Sequence, residues 1–194
     1  MDNTLDYYEK NAHSFAESTQ DVEFSDLQDR FLAFLQKGAY ILDFGCGAGR
    51  DAKYFLKKGF RVDAVDGSES LCRIASANTG IEVKHMLFSE LDADSAYDGI
   101  WACASILHLP KDELADVLPK MQKALKPGGY IYTSFKYGEF EGSRNGRYFT
   151  DFTEKTFEEF LAKIPGLKLT EEWISSDARP GREDEKWLNL IITK

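Results

Sequence analysis

Residues 41–55 read ILDFGCGAGRDAKYF. An apolar run ends at Phe44, passes through Gly45, Gly47 and Gly49, and turns into a helical pattern. Glycine adopts positive φ angles freely and lets the backbone come close to another group. Three of them between a buried strand and a helix therefore have two readings. One is a tight turn; the other is a small molecule lying against the backbone. The rest of the chain bears on the choice.

Strands and helices alternate on either side of this stretch. Before it, Leu5, Tyr8, Ala12 and Phe15 fall on one helical face. Phe24, Leu27, Phe31, Phe34 and Leu35 then recur at helical spacing up to Gly38. After it, a helix from Arg50 is closed by Gly59. A strand is expected over 61–65, a helix over 68–78, and strands over 81–87 and 97–105. A helix over 111–125 leads through a KPGG turn to a strand over 130–136. Strand–helix–strand units at this spacing need crossover connections, hence a mostly parallel sheet with helices on both faces.

The polar, glycine-rich segment 137–151, YGEFEGSRNGRYFTD, reads as a long loop. A helix over 153–166 is expected to open with a capping box, Thr153 and Thr156 being followed by Glu158 and Glu159. The strands 167–176 and 187–193 are joined by too few residues for a crossover helix, so they should pair antiparallel. The expectation is one α/β domain over 1–194, with a Rossmann-like seven-stranded, mostly parallel sheet. Helices occupy 1–38, the core 39–136, and the last loop, helix and strand pair 137–194.

The chain has 194 residues, 43% of them hydrophobic, and a net charge of −9. That size and composition suit one globular domain. The overall negative field opposes non-specific binding to nucleic acid or anionic membrane. Cys46, Cys72 and Cys103 are odd in number and far apart, with no CxxC pair, so neither a disulfide framework nor a metal site is expected. No secretory signal or membrane-length apolar run is seen. The reading is a cytoplasmic protein, a monomer or homodimer, with no membrane or nucleic-acid partner.

Ligands of open parallel sheets bind beyond the carboxyl ends of the strands, where the winding reverses. The glycine loop after Phe44 stands at such an end. About 20 residues on, Asp66 closes RVDAVD, where a carboxylate can accept both hydroxyls of a ribose. Alternatively it caps the next helix, although Ser68 could do that alone. The dinucleotide pattern G-x-G-x-x-G fails because Arg50 stands where its third glycine belongs, and the GK[ST] of a phosphate loop is absent. Asp43, two residues ahead of Gly45, would repel a pyrophosphate and suit a cation. An adenosine carrying an ammonium and a sulfonium fits these facts.

The segments ILDFGCGAGRD, VDAVDGS, LFSELDADSAYDGIWACASILHLP and LKPGGYIYTSFK resemble, in order, those of the class I S-adenosylmethionine-dependent methyltransferases. GCGAGRDAKYFLKKGFRVDAVDGS looks closest to the small tellurite-resistance-like and generic bacterial branches. The resemblance implies S-adenosylmethionine as cofactor. Asp43, Gly45, Cys46, Gly47, Gly49 and Arg50 would lie around its methionine part and Asp66 at the ribose. Gly67, Ser68, Phe88 and Ser89 would border the adenine, and Cys103 and Ala104 would present backbone carbonyls to the ammonium. The N-terminal helices would cover this site through Tyr7 and Tyr8; one buried and one exposed tyrosine on an amphipathic helix is the plainer reading.

The acceptor side carries less signal. His108 follows the fourth strand and is the candidate base or acceptor contact, or else a histidine hydrogen-bonded near the core. Lys136, Arg144 and Arg147 beside Tyr148, with Arg182 in the last turn, hint at an anionic or planar small-molecule acceptor; a solvated charged rim is the alternative. Two other functions stay open: a nicotinamide-dependent oxidoreductase, and a cofactor-binding module without catalysis.

Overall fold

The computed structural model describes residues 2–194, with side chains from residue 4 onward. Two helices come first, α1 (Asp2–Thr19) and α2 (Ser25–Leu32). The alternating core follows: β1 (Tyr40–Phe44), α3 (Arg50–Lys57), β2 (Arg61–Asp66), α4 (Glu69–Thr79), β3 (Val83–His85), β4 (Tyr97–Ala102), α5 (Lys111–Ala124) and β5 (Leu125–Lys136). The last third contains β6 (Glu141–Arg144), β7 (Arg147–Thr150), α6 (Glu154–Leu161), β8 (Lys168–Ser176) and β9 (Lys186–Thr193).

Seven strands form one sheet in the order β3-β2-β1-β4-β5-β9-β8. The first five are parallel, and β9 runs antiparallel to both β5 and β8. This is the expected mostly parallel sheet with an antiparallel last pair. The winding reverses between β1 and β4, so the two carboxyl ends there leave a crevice.

Strand periodicity divides the core into two layers. Leu42, Phe44, Ile100, Ile131 and Ile192 face α5 and α6 on one side. Ile41, Trp101, Tyr132 and Ile191 face Phe31 and Phe55 on the other, from α2 and α3. Trp101 and Tyr132 stack there, with ring centroids 3.9 Å apart.

Three local expectations are corrected. The segment read as a loop over 137–151 contains the β6–β7 hairpin, closed by Asn145 (φ 52°) and Gly146 (φ 77°). An Asn-Gly pair supplies the two positive φ angles that a tight type I′ turn needs. At α6 Thr153 is the N-cap, but the reciprocal bond comes from the Thr156 hydroxyl, 2.9 Å from the Thr153 amide, and not from a glutamate. The third strand is also shorter than 81–87, only Val83–His85 pairing with β2.

Candidate functional site

The crevice at the carboxyl ends of β1 and β4 opens into a cavity of about 630 Å³. One wall is the glycine loop. The amides of Gly45 and Cys46 both donate to the Val65 carbonyl at 2.9 Å. The Gly47 amide donates to Asp66 Oδ2 at 2.8 Å. Ser105 Oγ donates to the Phe44 carbonyl at 2.7 Å and ties the loop after β4 to the end of β1.

The three glycines serve different ends. A Cβ on Gly45 would stand 2.5 Å from Ser105 Cβ, and one on Gly47 would stand 3.1 Å from the Phe15 ring. Both line the cavity. Gly49 does not; it is the left-handed N-cap of α3, and a Cβ there would meet Thr79 and Ala75 of α4. Gly49 is thus a turn and packing glycine, while Gly45 and Gly47 keep a cavity wall thin.

Asp66 lines the cavity at the end of β2 and accepts the amides of Gly47 and Ser68. Burial pushes its carboxyl up to about 6, although those two amides pull it back. Ser68 is the N-cap of α4, its hydroxyl accepting the Leu71 amide at 3.2 Å, and it does not line the cavity. Gly67 does, beneath Leu5 of α1. Phe88 also does, its ring edge-on to Phe44 at 4.8 Å, whereas Ser89 is exposed and turned away.

Beneath the loop lies a charged cluster that sequence reading missed in part. Asp51 accepts from Gln28 Nε2 at 2.6 Å, Trp101 Nε1 at 2.8 Å, and Arg50 Nε and Nη2 at 2.8 and 3.0 Å. Burial opposes its charge, but the Arg50 guanidinium and these donors hold the carboxyl below its ordinary value. Arg50 also lies over the Phe24 ring at 3.9 Å and reaches the cavity. Asp43 is 2% exposed and lies behind the cavity wall; its Oδ2 has no hydrogen-bond partner. Burial, with the Asp51 charge adding to it, pushes Asp43 well up. The one sequence signal for Asp51 was its place in GRD, beside an arginine that needs a partner.

The opposite wall comes from α1, the β6–β7 hairpin and the turn before β9. Tyr8 lines the cavity; Tyr7 does not and packs edge-on against Tyr8 at 5.5 Å. His108 lies in the short turn after β4, 8% exposed. Its Nδ1 is 2.6 Å from the Tyr148 carbonyl and its Nε2 is 2.8 Å from the Tyr8 hydroxyl. A carbonyl only accepts, so Nδ1 carries the proton and Nε2 accepts from Tyr8. Burial takes His108 down to about 4; the Tyr148 carbonyl works against this and the Arg147 charge adds to it. The imidazole is therefore neutral at neutral pH. Burial raises Tyr8, against the pull of Arg147, so the phenol keeps its proton.

All four basic acceptor-side candidates line the cavity, but three are neutralised. Lys136 pairs with Asp177 and Glu185, Arg144 with Asp151, and Arg182 with Glu185 rather than with Glu183 or Asp184. Arg147 has no carboxylate partner among the described residues. Cys103 and Ala104 both reach the cavity, Ala104 with a φ of 50° and its amide on Ser134 Oγ at 2.9 Å. Burial raises the thiols of Cys46 and Cys103, the latter to about 12, so neither is a nucleophile at neutral pH. Among the described residues no group of His, Cys, Asp and Glu could hold a metal ion, and no helix is long and apolar enough to cross a membrane.

Comparison with known proteins bears on this site. Residues 41–129, a little under half of the chain, match the family model described as Methyltransferase domain. Methyltransferase GfsG of Streptomyces halstedii is 31% identical over 104 residues, covering 48% of this chain and 36% of that protein. The chain thus spans well under half the length of that relative. Two solved structures superpose over 98% of the chain. One is the 1,6-didemethyltoxoflavin-N1-methyltransferase of Burkholderia thailandensis with S-adenosylhomocysteine bound (TM-score 0.81, 22% identity, 86% of that chain). The other is a TehB-like S-adenosylmethionine-dependent methyltransferase of Corynebacterium glutamicum (TM-score 0.69, 22% identity, 97% of that chain). The sheet is thus the one on which S-adenosylmethionine-dependent methyltransferases are built. The matched segment supplies the glycine loop, Asp66 and the β4 end. α1, the β6–β7 hairpin and the turn before β9 lie outside it.

Proposed function

We propose, from a chain whose residues 41–129 match a methyltransferase-domain family model, that this protein is an S-adenosylmethionine-dependent methyltransferase acting on a small-molecule acceptor. The observation that carries the reading is the conjunction, around one cavity, of Asp66 and the thin wall at Gly45 and Gly47, with Asp43 buried behind that wall. These residues fit S-adenosylmethionine. Asp66 would take the ribose hydroxyls, and Gly67 and Phe88 would flank the adenine. Gly45 and Gly47 would admit the methionine chain, and a cation bound there would lower the raised Asp43 carboxyl behind that wall. When bound, the cofactor supplies an electrophilic methyl carbon on a sulfonium that leaves as a neutral thioether.

The chain's own residues have three tasks. The loops position the methyl group, since in-line displacement depends above all on alignment. α1 and the hairpin keep water out, which favours a reaction that cancels charge at sulfur. Tyr8 and His108 manage a proton if the acceptor must lose one. Because the His108 Nε2 lone pair is taken by the Tyr8 hydroxyl, Tyr8 faces the acceptor and His108 acts through it. The broken dinucleotide pattern at Arg50, whose guanidinium is committed to Asp51, argues against the nicotinamide reading.

Thermal unfolding with S-adenosylhomocysteine or NAD tests the cofactor. Saturation at about 100 times Kd adds about 2.7 kcal/mol, a rise on the order of 5–10 °C for this size. The shift is expected with S-adenosylhomocysteine and not with NAD; the reverse result would transfer the site to an oxidoreductase.

The state of His108 has its own signature. Its folded pKa of about 4 lies below the ordinary 6.5, so the unfolded chain binds more protons between those values. Its contribution to stability is complete above pH 6.5 and is lost as pH falls to 4, about 3 kcal/mol in all. Asp66, raised to about 6, works in the opposite sense over much of the same window. The His108 share therefore emerges as the difference between wild type and His108→Gln in urea unfolding. That difference is expected to grow from pH 4 to 6.5. A pH-independent difference would mean that His108 is solvated and ordinary.

A further inference from the structure

Arg147 stands apart from the other basic residues of the cavity. Lys136, Arg144, Arg179 and Arg182 are each held by a carboxylate, and Arg50 by Asp51. Lys186 is taken by the Ser176 hydroxyl and the Glu183 carbonyl. Among the described residues Arg147 has none of this. Its guanidinium carbon sits 4.6 Å from the Tyr7 ring centroid, 5.2 Å from Phe149 and 5.8 Å from Tyr8. Among the described residues its one hydrogen bond is a long one, Nη1 to the Tyr8 hydroxyl at 3.4 Å. Its Nε is buried with no partner.

A guanidinium framed by aromatic rings is oriented but not neutralised. Its donors keep the planar fork that matches a carboxylate, and low local dielectric strengthens such a pair. In a chain of net charge −9 the general field repels anions. An arginine with no carboxylate partner among the described residues, in a cavity whose other arginines are all paired, therefore selects by sign at one place.

That place is beside the proton-handling pair. Arg147 Nη1 and His108 Nε2 both converge on the Tyr8 hydroxyl. An anionic group on the guanidinium would bring its neighbouring hydroxyl or ring nitrogen to Tyr8. It would also cancel the positive charge that disfavours a proton on His108. The aromatic side chains of Tyr8 and Phe149 on the cavity wall suit a flat molecule.

Resting on the methyl-transfer reading above, we propose that Arg147 is the anion receptor of the acceptor site, and that the acceptor is a small planar acid with a carboxylate or equivalent oxyanion beside its methyl-accepting atom.

The test uses the whole chain saturated with S-adenosylhomocysteine. It is titrated with benzoate, 2-hydroxybenzoate, 4-hydroxybenzoate and pyridine-3-carboxylate, each against its neutral carboxamide. A charge-assisted pair worth about 1.5–3 kcal/mol corresponds to about 10- to 150-fold tighter binding of at least one acid than of its amide. Arg147→Gln is expected to abolish that preference, and Arg147→Lys to keep part of it, while both keep the wild-type shift with S-adenosylhomocysteine. An acid preference that survives Arg147→Gln overturns the proposal. So does the lack of any acid preference across the panel in a wild-type protein that binds S-adenosylhomocysteine. Failure to bind S-adenosylhomocysteine at all overturns instead the reading on which the proposal rests.

Discussion

Replacing Asp51 by alanine is expected to lower the unfolding free energy by about 3–5 kcal/mol, the usual cost of removing one partner of a buried ion pair. Four donors converge on this carboxylate, from Gln28, Trp101 and both faces of the Arg50 fork. Without it the Arg50 guanidinium keeps its charge at the cavity wall with no counter-ion, and the buried amide and indole lose their acceptor. For a chain of this size the loss corresponds to a fall in Tm of roughly 6–20 °C. Urea unfolding measures it, with Asp51→Asn as the milder variant because it keeps one acceptor oxygen. A loss below about 1 kcal/mol would place the cluster among surface ion pairs of little weight. The substitution also removes the charge that, after burial, does most to raise Asp43.

The second large effect concerns Asp66. Asp66→Ala is expected to weaken S-adenosylhomocysteine binding by about 1–3 kcal/mol, roughly 5- to 150-fold, by deleting a charged acceptor for the ribose hydroxyls. Calorimetric titration measures it on folded variants, and Asp66→Asn separates lost charge from lost shape. Because burial raises the carboxyl to about 6, wild-type affinity should be highest above pH 6. Below that value the ligand competes with a proton, and Kd rises toward about tenfold per pH unit. The asparagine variant should show no such slope. Affinity independent of both the substitution and pH would leave Asp66 as an anchor for the Gly47 and Ser68 amides and nothing more.

The sheet and the glycine-loop wall of the cavity were legible because period and glycine placement are local signals. Strands of period two and helices of period 3.6 read off directly, and Gly45, Gly47 and Asp66 announce themselves by spacing. What stayed hidden depended on distant pairing. The hairpin over 141–150 has short, polar strands without a clear alternation, and only Asn145-Gly146 marked it. Lys136, Arg144 and Arg182 looked like available cations because carboxylates that neutralise them, such as Asp151 and Glu185, are assigned by folding and not by sequence order. His108 was found as a residue but not as half of a pair, since Tyr8 lies 100 positions away. Gly49 and Ser68 carried the right motif positions and turned out to shape the backbone around the cavity instead of lining it.

The order of the sheet also governs how such a chain can be made. β8 is synthesised before β9, yet it joins the sheet only through β9, which inserts between β5 and β8. While the polypeptide is still emerging, the five parallel strands can assemble, but the free edge of β5 stays open and β8 has nothing to pair with. An unpaired edge in a nascent chain is a template for the wrong neighbour. Arrival of the segment Lys186–Thr193 closes both gaps in a single event. It brings Trp187 and the turn with Arg179 and Arg182 to the cavity in the same movement. Completion of the sheet and completion of this cavity wall are thus one late step, and a ribosome that stalls before it leaves a five-stranded sheet with neither.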